Sequence, residues 1–147
     1  MDHLSKFFRL PAAEQLLLVR ALALLAAVRI ALWLLPFKIL QRISAKLVHT
    51  GALSRKESRF STDRGVWAVH VASRYVPRAT CLTQALAAQI LFELDGIPAS
   101  VRIGVVKEKA GDFQAHAWLE SGGKILIGGI DADQRYKPLL ALSPREH

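Results

Sequence analysis

The chain has 147 residues, 52% of them hydrophobic, and a formal net charge of +8. This length fits one domain with a substantial core, and the single cysteine excludes both an internal disulfide and a cysteine-pair zinc site. The basic residues are scattered among apolar ones without an aromatic-rich platform, so nucleic-acid binding is not expected. We expect a cytoplasmic protein, because one free thiol fits a reducing compartment.

The most apolar segment, residues 16–36, predicts a long helix near the N-terminus. Arg20 and Arg29 lie nine residues apart, so they fall on opposite sides of such a helix and argue against a membrane span. The apolar segment is not followed by a small-residue cleavage site, which argues against a signal peptide. We expect a helix that packs on the domain or on a partner, and association of residues 11–36 with a membrane surface is the alternative.

The rest of the chain predicts an α+β fold. The expected elements are helices over residues 37–48, 66–74 and 80–95 and strands over residues 99–106, 113–120 and 124–130, with a polar loop over residues 54–63. Thr80 is a suitable N-cap for the last helix, and Gly96 follows its final turn. We therefore expect a helical N-terminal segment over residues 1–60 and a compact core over residues 61–147, with a central helix and a small antiparallel sheet.

Cys81 is the first candidate for chemistry, because it lies where an extended stretch becomes a helix. At a helix N-terminus, unpaired backbone N–H groups and the helix dipole favour the thiolate, the form of cysteine that attacks carbonyl groups. The plainer interpretation is a small buried hydrophobe, since free cysteine is among the most buried residue types. Cys81 alone does not decide between the two interpretations.

His116 is the second candidate, in a predicted strand. The two-residue period of a strand places Gln114, His116, Trp118 and Glu120 on one face. An imidazole beside Cys81 can take the thiol proton and later protonate a leaving amine. Gln114 is a candidate to bind the oxyanion, and Trp118 either walls the site or is a core aromatic residue. Alone, His116 is better interpreted as a half-exposed strand residue, but the two motifs together favour catalysis.

A third residue should orient the imidazole. If the pair Gly122-Gly123 forms a two-residue hairpin loop, counting back along the strands sets His116 opposite Gly129. Asp131 then falls on the face of His116 and is the expected triad acid, with Asp133 in reserve. A register shift of one residue would move Asp131 to the opposite face.

Three sequence motifs carry a family resemblance. They are Val76-Pro77-Arg78-Ala79-Thr80-Cys81-Leu82, Asp95-Gly96-Ile97-Pro98-Ala99 followed by Arg102-Ile103-Gly104-Val105, and Gln114-Ala115-His116-Ala117-Trp118-Leu119-Glu120. Together they resemble the transglutaminase-like leader peptidases of lasso peptide biosynthesis, over essentially the whole chain. The resemblance implies a papain-like cysteine protease core with Cys81 as the nucleophile and His116 as the base. Some members of that family have the acid nearer the histidine, where this chain has Gly128.

The resemblance also implies partners. Because the chain is too short for an added leader-recognition domain, we expect the split form, in which a separate recognition protein delivers the lasso precursor peptide. The peptidase would cut the leader from the core, and a separate cyclase would use the freed amine. Neither a metal nor a cofactor is expected, since His70 belongs to no ligand set and Gly122-Gly123-Lys124 lacks the rest of a phosphate-binding loop.

Two other functions are compatible with the sequence. A non-catalytic scaffold could use the apolar helix to gather the proteins of a biosynthetic complex, at a membrane surface or away from one. The same three residues could also transfer an acyl group to an amine instead of to water. Activity of a Cys81→Ala variant separates the scaffold from an enzyme, and product masses separate hydrolysis from transfer.

Overall fold

The computed structural model describes residues 2–36, 38–39, 42, 46, 60–107, 111, 113–128 and 137–142. Its helices are α1 (Asp2–Phe8), α2 (Ala12–Leu34), α3 (Thr62–Ser73) and α4 (Cys81–Leu94), and its strands are β1 (Ser100–Lys107), β2 (Phe113–Ser121), β3 (Lys124–Ile127) and β4 (Lys137–Leu142). This α+β architecture confirms the predicted fold class. Most of the predicted helix over residues 37–48 and loop over residues 54–63 lies outside the described residues, and the proposed division at residue 60 stays a prediction.

The helices bury one shared core. On α2 the buried residues recur at helical spacing and face α3 and α4; they are Leu17, Leu18, Ala21, Leu25 and Val28. Helix α3 begins four residues earlier than predicted because the Ser61 side chain caps it, accepting a hydrogen bond from the Arg64 N–H. Gly65 allows α3 to approach α4 closely, since a Cβ there would lie 2.7 Å from atoms of both Phe60 and Phe92.

Helix α2 is long and apolar enough to cross a membrane by length and composition, with 28% of its most apolar window buried inside the protein. A core helix passes the same test, so this property assigns no location. Inside the protein, α2 is tied to the end of α4 by Arg20, whose guanidinium lies 3.8 Å from the fully buried carboxylate of Asp95. Asp95 is the C-cap residue of α4, and the pair therefore fixes where these two helices meet.

Helix α4 is also bonded to the start of the sheet. The buried side chains of Gln89 and Glu93, one turn apart, both reach the peptide groups of Ala99. Gln89 Nε2 donates to the Ala99 carbonyl at 3.3 Å, and the Ala99 N–H donates to Glu93 Oε1 at 3.0 Å. These bonds position β1 against α4, because the strand begins at the next residue.

The sheet is antiparallel, with strand order β3-β2-β1-β4. The predicted hairpin pairing of Ser121 with Lys124 is confirmed, but a bulge follows at once. Glu120 lies opposite Ile125 and Leu119 opposite Ile127, so β3 contains one extra residue. Strand β4 was not predicted; its second residue is Pro138, which is tolerated because β4 is an edge strand.

Candidate active site

Cys81 is the first residue of α4, as the sequence predicts. Its thiol is free and half-buried, and it packs against the hydrophobic core. The residues one, two and three turns further along the same face, Ala85, Ala88 and Phe92, are fully buried. The thiol is therefore held by a rigid, packed helix, with its backbone at the end where the helix dipole is positive.

The start of α4 is secured by two side chains. Thr80 is the N-cap, and its Oγ1 accepts a hydrogen bond from the Thr83 N–H at 3.3 Å. Gln84 Nε2 donates to the carbonyl of Ala79 at 3.0 Å, which ties the preceding residue to the first turn. The N–H groups of Cys81 and Leu82 have no intrahelical acceptor at these positions. The Cys81 N–H is therefore suited to stabilise an oxyanion that forms beside its own sulfur.

His116 lies near the middle of β2, on a strand that contacts α4. Its Nε2 is 2.6 Å from the carbonyl oxygen of Gly128, at the end of β3. A carbonyl oxygen only accepts hydrogen bonds, so this contact requires the proton on Nε2. In the neutral ring Nδ1 is then the basic nitrogen, and the Gly128 carbonyl holds the ring in the orientation that a third catalytic residue usually provides.

The imidazole is supported by a buried layer on the same face of β2. The rings of His116 and Trp118 are stacked, with centroids 6.4 Å apart and planes 22° apart. Trp118 is fully buried, and its Nε1 donates to Glu120 Oε1 at 2.8 Å. Glu120 in turn pairs with Arg102 of β1 at 3.3 Å. The predicted face containing His116, Trp118 and Glu120 is thus confirmed, and the full burial of Trp118 agrees with the interpretation as a core aromatic residue.

Cys81 and His116 are not hydrogen-bonded to each other in the structure. Alternation along β2 explains this separation: Ala117 and Leu119 enter the core that contains α4, whereas His116 belongs to the other face. The pairing of this thiol with this imidazole stays a prediction.

The predicted acid depends on a register that the bulge changes. Strand β3 has one extra residue between Ile125 and Ile127, which pair with Glu120 and Leu119 of β2. Counting back from the hairpin therefore no longer sets His116 opposite Gly129. Asp131 and Asp133 themselves lie outside the described residues, so their role stays a prediction without that geometric argument. The backbone of Gln114 pairs with Val106 of β1, but its side chain also lies outside the described part.

Gly128 is the residue at this site that sequence reasoning did not assign. It has a φ of +108°, and a Cβ there would lie 2.6 Å from Trp118 Cβ. Only glycine fits this conformation and this space. The signal in the sequence was the pair Gly128-Gly129 near the end of the third predicted strand. Some members of the family that the three motifs resemble have the acid at the position of Gly128. This glycine brings its backbone carbonyl to the imidazole.

Metal binding has no support among the residues whose side chains are described, because no group of three or more histidine, cysteine, aspartate or glutamate residues forms there. His70 is exposed in the last turn of α3.

A comparison with protein families matches residues 18–141 to the family model described as transglutaminase-like superfamily. The match begins inside α2 and ends inside β4, so it includes Cys81, His116 and Gly128. No curated protein and no solved structure matches the chain significantly.

Proposed function

Because the chain belongs to the transglutaminase-like superfamily, we propose that it is a cysteine peptidase with Cys81 as the nucleophile and His116 as the base. The observation that carries this proposal is the position of the only thiol at the first residue of α4. At the start of a helix, the unpaired backbone N–H groups favour a thiolate, and the N–H of the cysteine can bind an oxyanion.

The mechanism starts with proton transfer from Cys81 to Nδ1 of His116, while Nε2–H stays bonded to the Gly128 carbonyl. The thiolate attacks a peptide carbonyl, and the oxyanion accepts a hydrogen bond from the Cys81 N–H, with Gln114 as a second candidate donor. The imidazolium then protonates the departing amine, leaving a thioester. Water, activated by the neutral imidazole, releases the acid and restores the thiol.

The substrate we propose is the precursor of a lasso peptide, cut between leader and core. This assignment depends on the three motifs quoted above, which resemble lasso leader peptidases, and not on the geometry of the site. A separate recognition protein would deliver the leader, and a cyclase would use the new α-amine. A partner of this kind raises the local concentration of substrate, and its contact also offers a way to bring imidazole and thiol together.

Mass spectrometry of a lasso precursor, incubated with the chain and the recognition protein that binds its leader, tests the proposal. We expect two products whose masses sum to that of the precursor plus one water, and no products with Cys81→Ala. Cleavage by Cys81→Ala at the native rate would contradict the proposal.

Acyl transfer is separated by adding an excess of a small primary amine. A leader with a free carboxylate supports hydrolysis, whereas a leader joined to the amine as the main product would replace the peptidase with an acyltransferase that uses the same residues.

A further inference from the structure

A groove of about 480 Å³ lies between α2 and the segment that leads into Cys81. Its wall on α2 is formed by Ala26, Arg29, Ile30 and Trp33, and its opposite wall by Val76, Pro77 and Arg78. We call it the arginine groove. Trp33 is 77% exposed and Ile30 56% exposed, although both are large apolar residues. Among its described lining residues, the groove therefore combines an uncovered apolar surface with two cations and no acidic side chain.

The two arginines of the groove differ from the arginines that hold the fold together. Arg20, Arg64 and Arg102 form ion pairs with Asp95, Glu14 and Glu120 respectively. Neither Arg29 nor Arg78 has a salt-bridge partner among the residues whose side chains are described. Their charges are thus available to an anionic group that enters the groove.

The backbone at Arg78 gives a second, independent observation. Arg78 has a φ of +57°, and the Ala79 N–H donates to the Val76 carbonyl at 3.3 Å. Pro77 and Arg78 are thus the central residues of a β-turn, and a positive φ at the third turn position normally calls for glycine. An exposed arginine at a position that favours glycine costs stability locally. Such strained residues are concentrated at functional sites, so Arg78 is a candidate for a functional role.

The groove is close to the thiol along the chain. Arg78 precedes Cys81 by three residues, and three residues span at most about 11 Å when fully extended. An extended peptide advances about 3.3 Å per residue, so a substrate whose reacting carbonyl is at Cys81 reaches the groove within about three residues.

We propose that the arginine groove is a substrate subsite that binds an apolar side chain next to a carboxylate, within about three residues of the scissile bond. This proposal rests on the proposed peptidase function. The apolar side chain lies against Trp33 and Ile30, and the carboxylate pairs with Arg29 and Arg78. An anionic membrane presents similar chemistry, but a concave site that includes a residue three positions before Cys81 fits a peptide strand better than a flat surface.

Reactive peptides that alkylate Cys81 test the subsite. One series has the residues before the reactive group, as acetyl-Glu-Phe-Gly vinyl sulfone, and the other has them after it, as iodoacetyl-Gly-Phe-Glu amide. In each series Lys replaces Glu in the matched probe. We expect the Glu probe of at least one series to label Cys81 about fivefold faster or more than its Lys counterpart, after division by the iodoacetamide rate of the same protein.

The variant Arg29→Ala/Arg78→Gly should reduce that preference to less than about twofold. Glycine at position 78 suits the turn, so the variant should fold with no loss of melting temperature from that position. The matched control is Arg74→Ala, which removes an exposed arginine outside the groove and should keep the full preference. Equal labelling by Glu and Lys probes in both series, with rapid iodoacetamide labelling, would overturn the subsite and leave the peptidase proposal standing.

Binding can also be measured without the thiol. The unreactive amide acetyl-Glu-Phe-Gly-NH₂ should change the Trp33 fluorescence of Cys81→Ala, and this change should be absent in the added variant Trp33→Phe. No binding of this amide to Cys81→Ala would overturn the subsite even where the thiol proves unreactive. Unchanged probe preference in Arg29→Ala/Arg78→Gly, with loss of its binding to vesicles of phosphatidylcholine and phosphatidylglycerol, would assign the groove to lipid instead.

Discussion

At the scale of single residues, the site depends on how His116 is held. A carboxylate that orients a catalytic imidazole also stabilises the imidazolium by its charge, whereas the Gly128 carbonyl contributes a dipole only. The carbonyl still fixes the tautomer, because it accepts a proton from Nε2. Orientation and tautomer are thus provided by backbone geometry, which in turn requires glycine at position 128.

Gly128→Ala should therefore disturb both the fold and the site. The positive φ of +108° and the contact of a Cβ with Trp118 at 2.6 Å should together lower the free energy of unfolding by about 1–3 kcal/mol. The matched control is Gly123→Ala, where φ is +78° but no atom lies within 4 Å of an added Cβ. Denaturant unfolding should rank the variants with Gly128→Ala the less stable; equal stability would contradict the close packing at Gly128.

This residue also shows what the sequence could not predict about the site. Cys81 and His116 were identified from local signals, a capped helix start and a two-residue alternation. Such signals depend on neighbouring residues and not on tertiary contacts, so the structure retains them. The choice of Asp131 depended on strand register, and a bulge beyond the hairpin changes register without any mark in the pattern of apolar residues. The contact between His116 and Gly128 arises from that tertiary geometry.

At the scale of secondary-structure elements, α2 is held by more than apolar contacts. Arg20 lies in a helix otherwise apolar enough to suggest a membrane span, and it neutralises a carboxylate with no exposure to solvent. The sequence indicated only that arginine opposes a span. It could not indicate that the partner is Asp95, because that pairing depends on where α4 ends against α2.

Arg20→Met tests this contact. It removes the Arg20 guanidinium from the buried Asp95 carboxylate and should lower the free energy of unfolding by about 2–3 kcal/mol. This is less than a fully buried pair would lose, since the Arg20 side chain is 27% exposed. Adding Asp95→Asn should recover part of the loss, because the uncompensated charge is removed. Arg9→Met, at an exposed arginine before α2, is the control. A loss in Arg20→Met no greater than in Arg9→Met would contradict the structural role of the pair.

Among the strands, those with a regular local alternation were predicted, whereas the strand that depends on its place in the sheet was not. The first two predicted strands match β1 and β2 to within one residue at each end, because their alternation is regular. Strand β4 was missed because Pro138 argues against a strand unless its place at the sheet edge is known. Helix α1 was missed as well, since seven residues are too few for a clear helical period.

At the scale of the whole molecule, the family match and the core agree on where the helical N-terminal region belongs. The match starts at residue 18, inside α2, and α2 contributes buried residues to the core shared with α3 and α4. The same helix contributes Arg29, Ile30 and Trp33 to the arginine groove, whose opposite wall is the segment before Cys81. Helix α2 thus contributes residues both to the core and to the proposed subsite.

Activation of Cys81 by His116 is tested most directly by the rate of iodoacetamide alkylation, measured against pH by intact mass. Cys81 is the only thiol, so one added mass reports one residue. We expect iodoacetamide to alkylate the native chain faster than His116→Ala, because only the native chain has an imidazole that can take the thiol proton. Slow alkylation with the same pH profile in both proteins, including when the recognition protein is present, would contradict this activation.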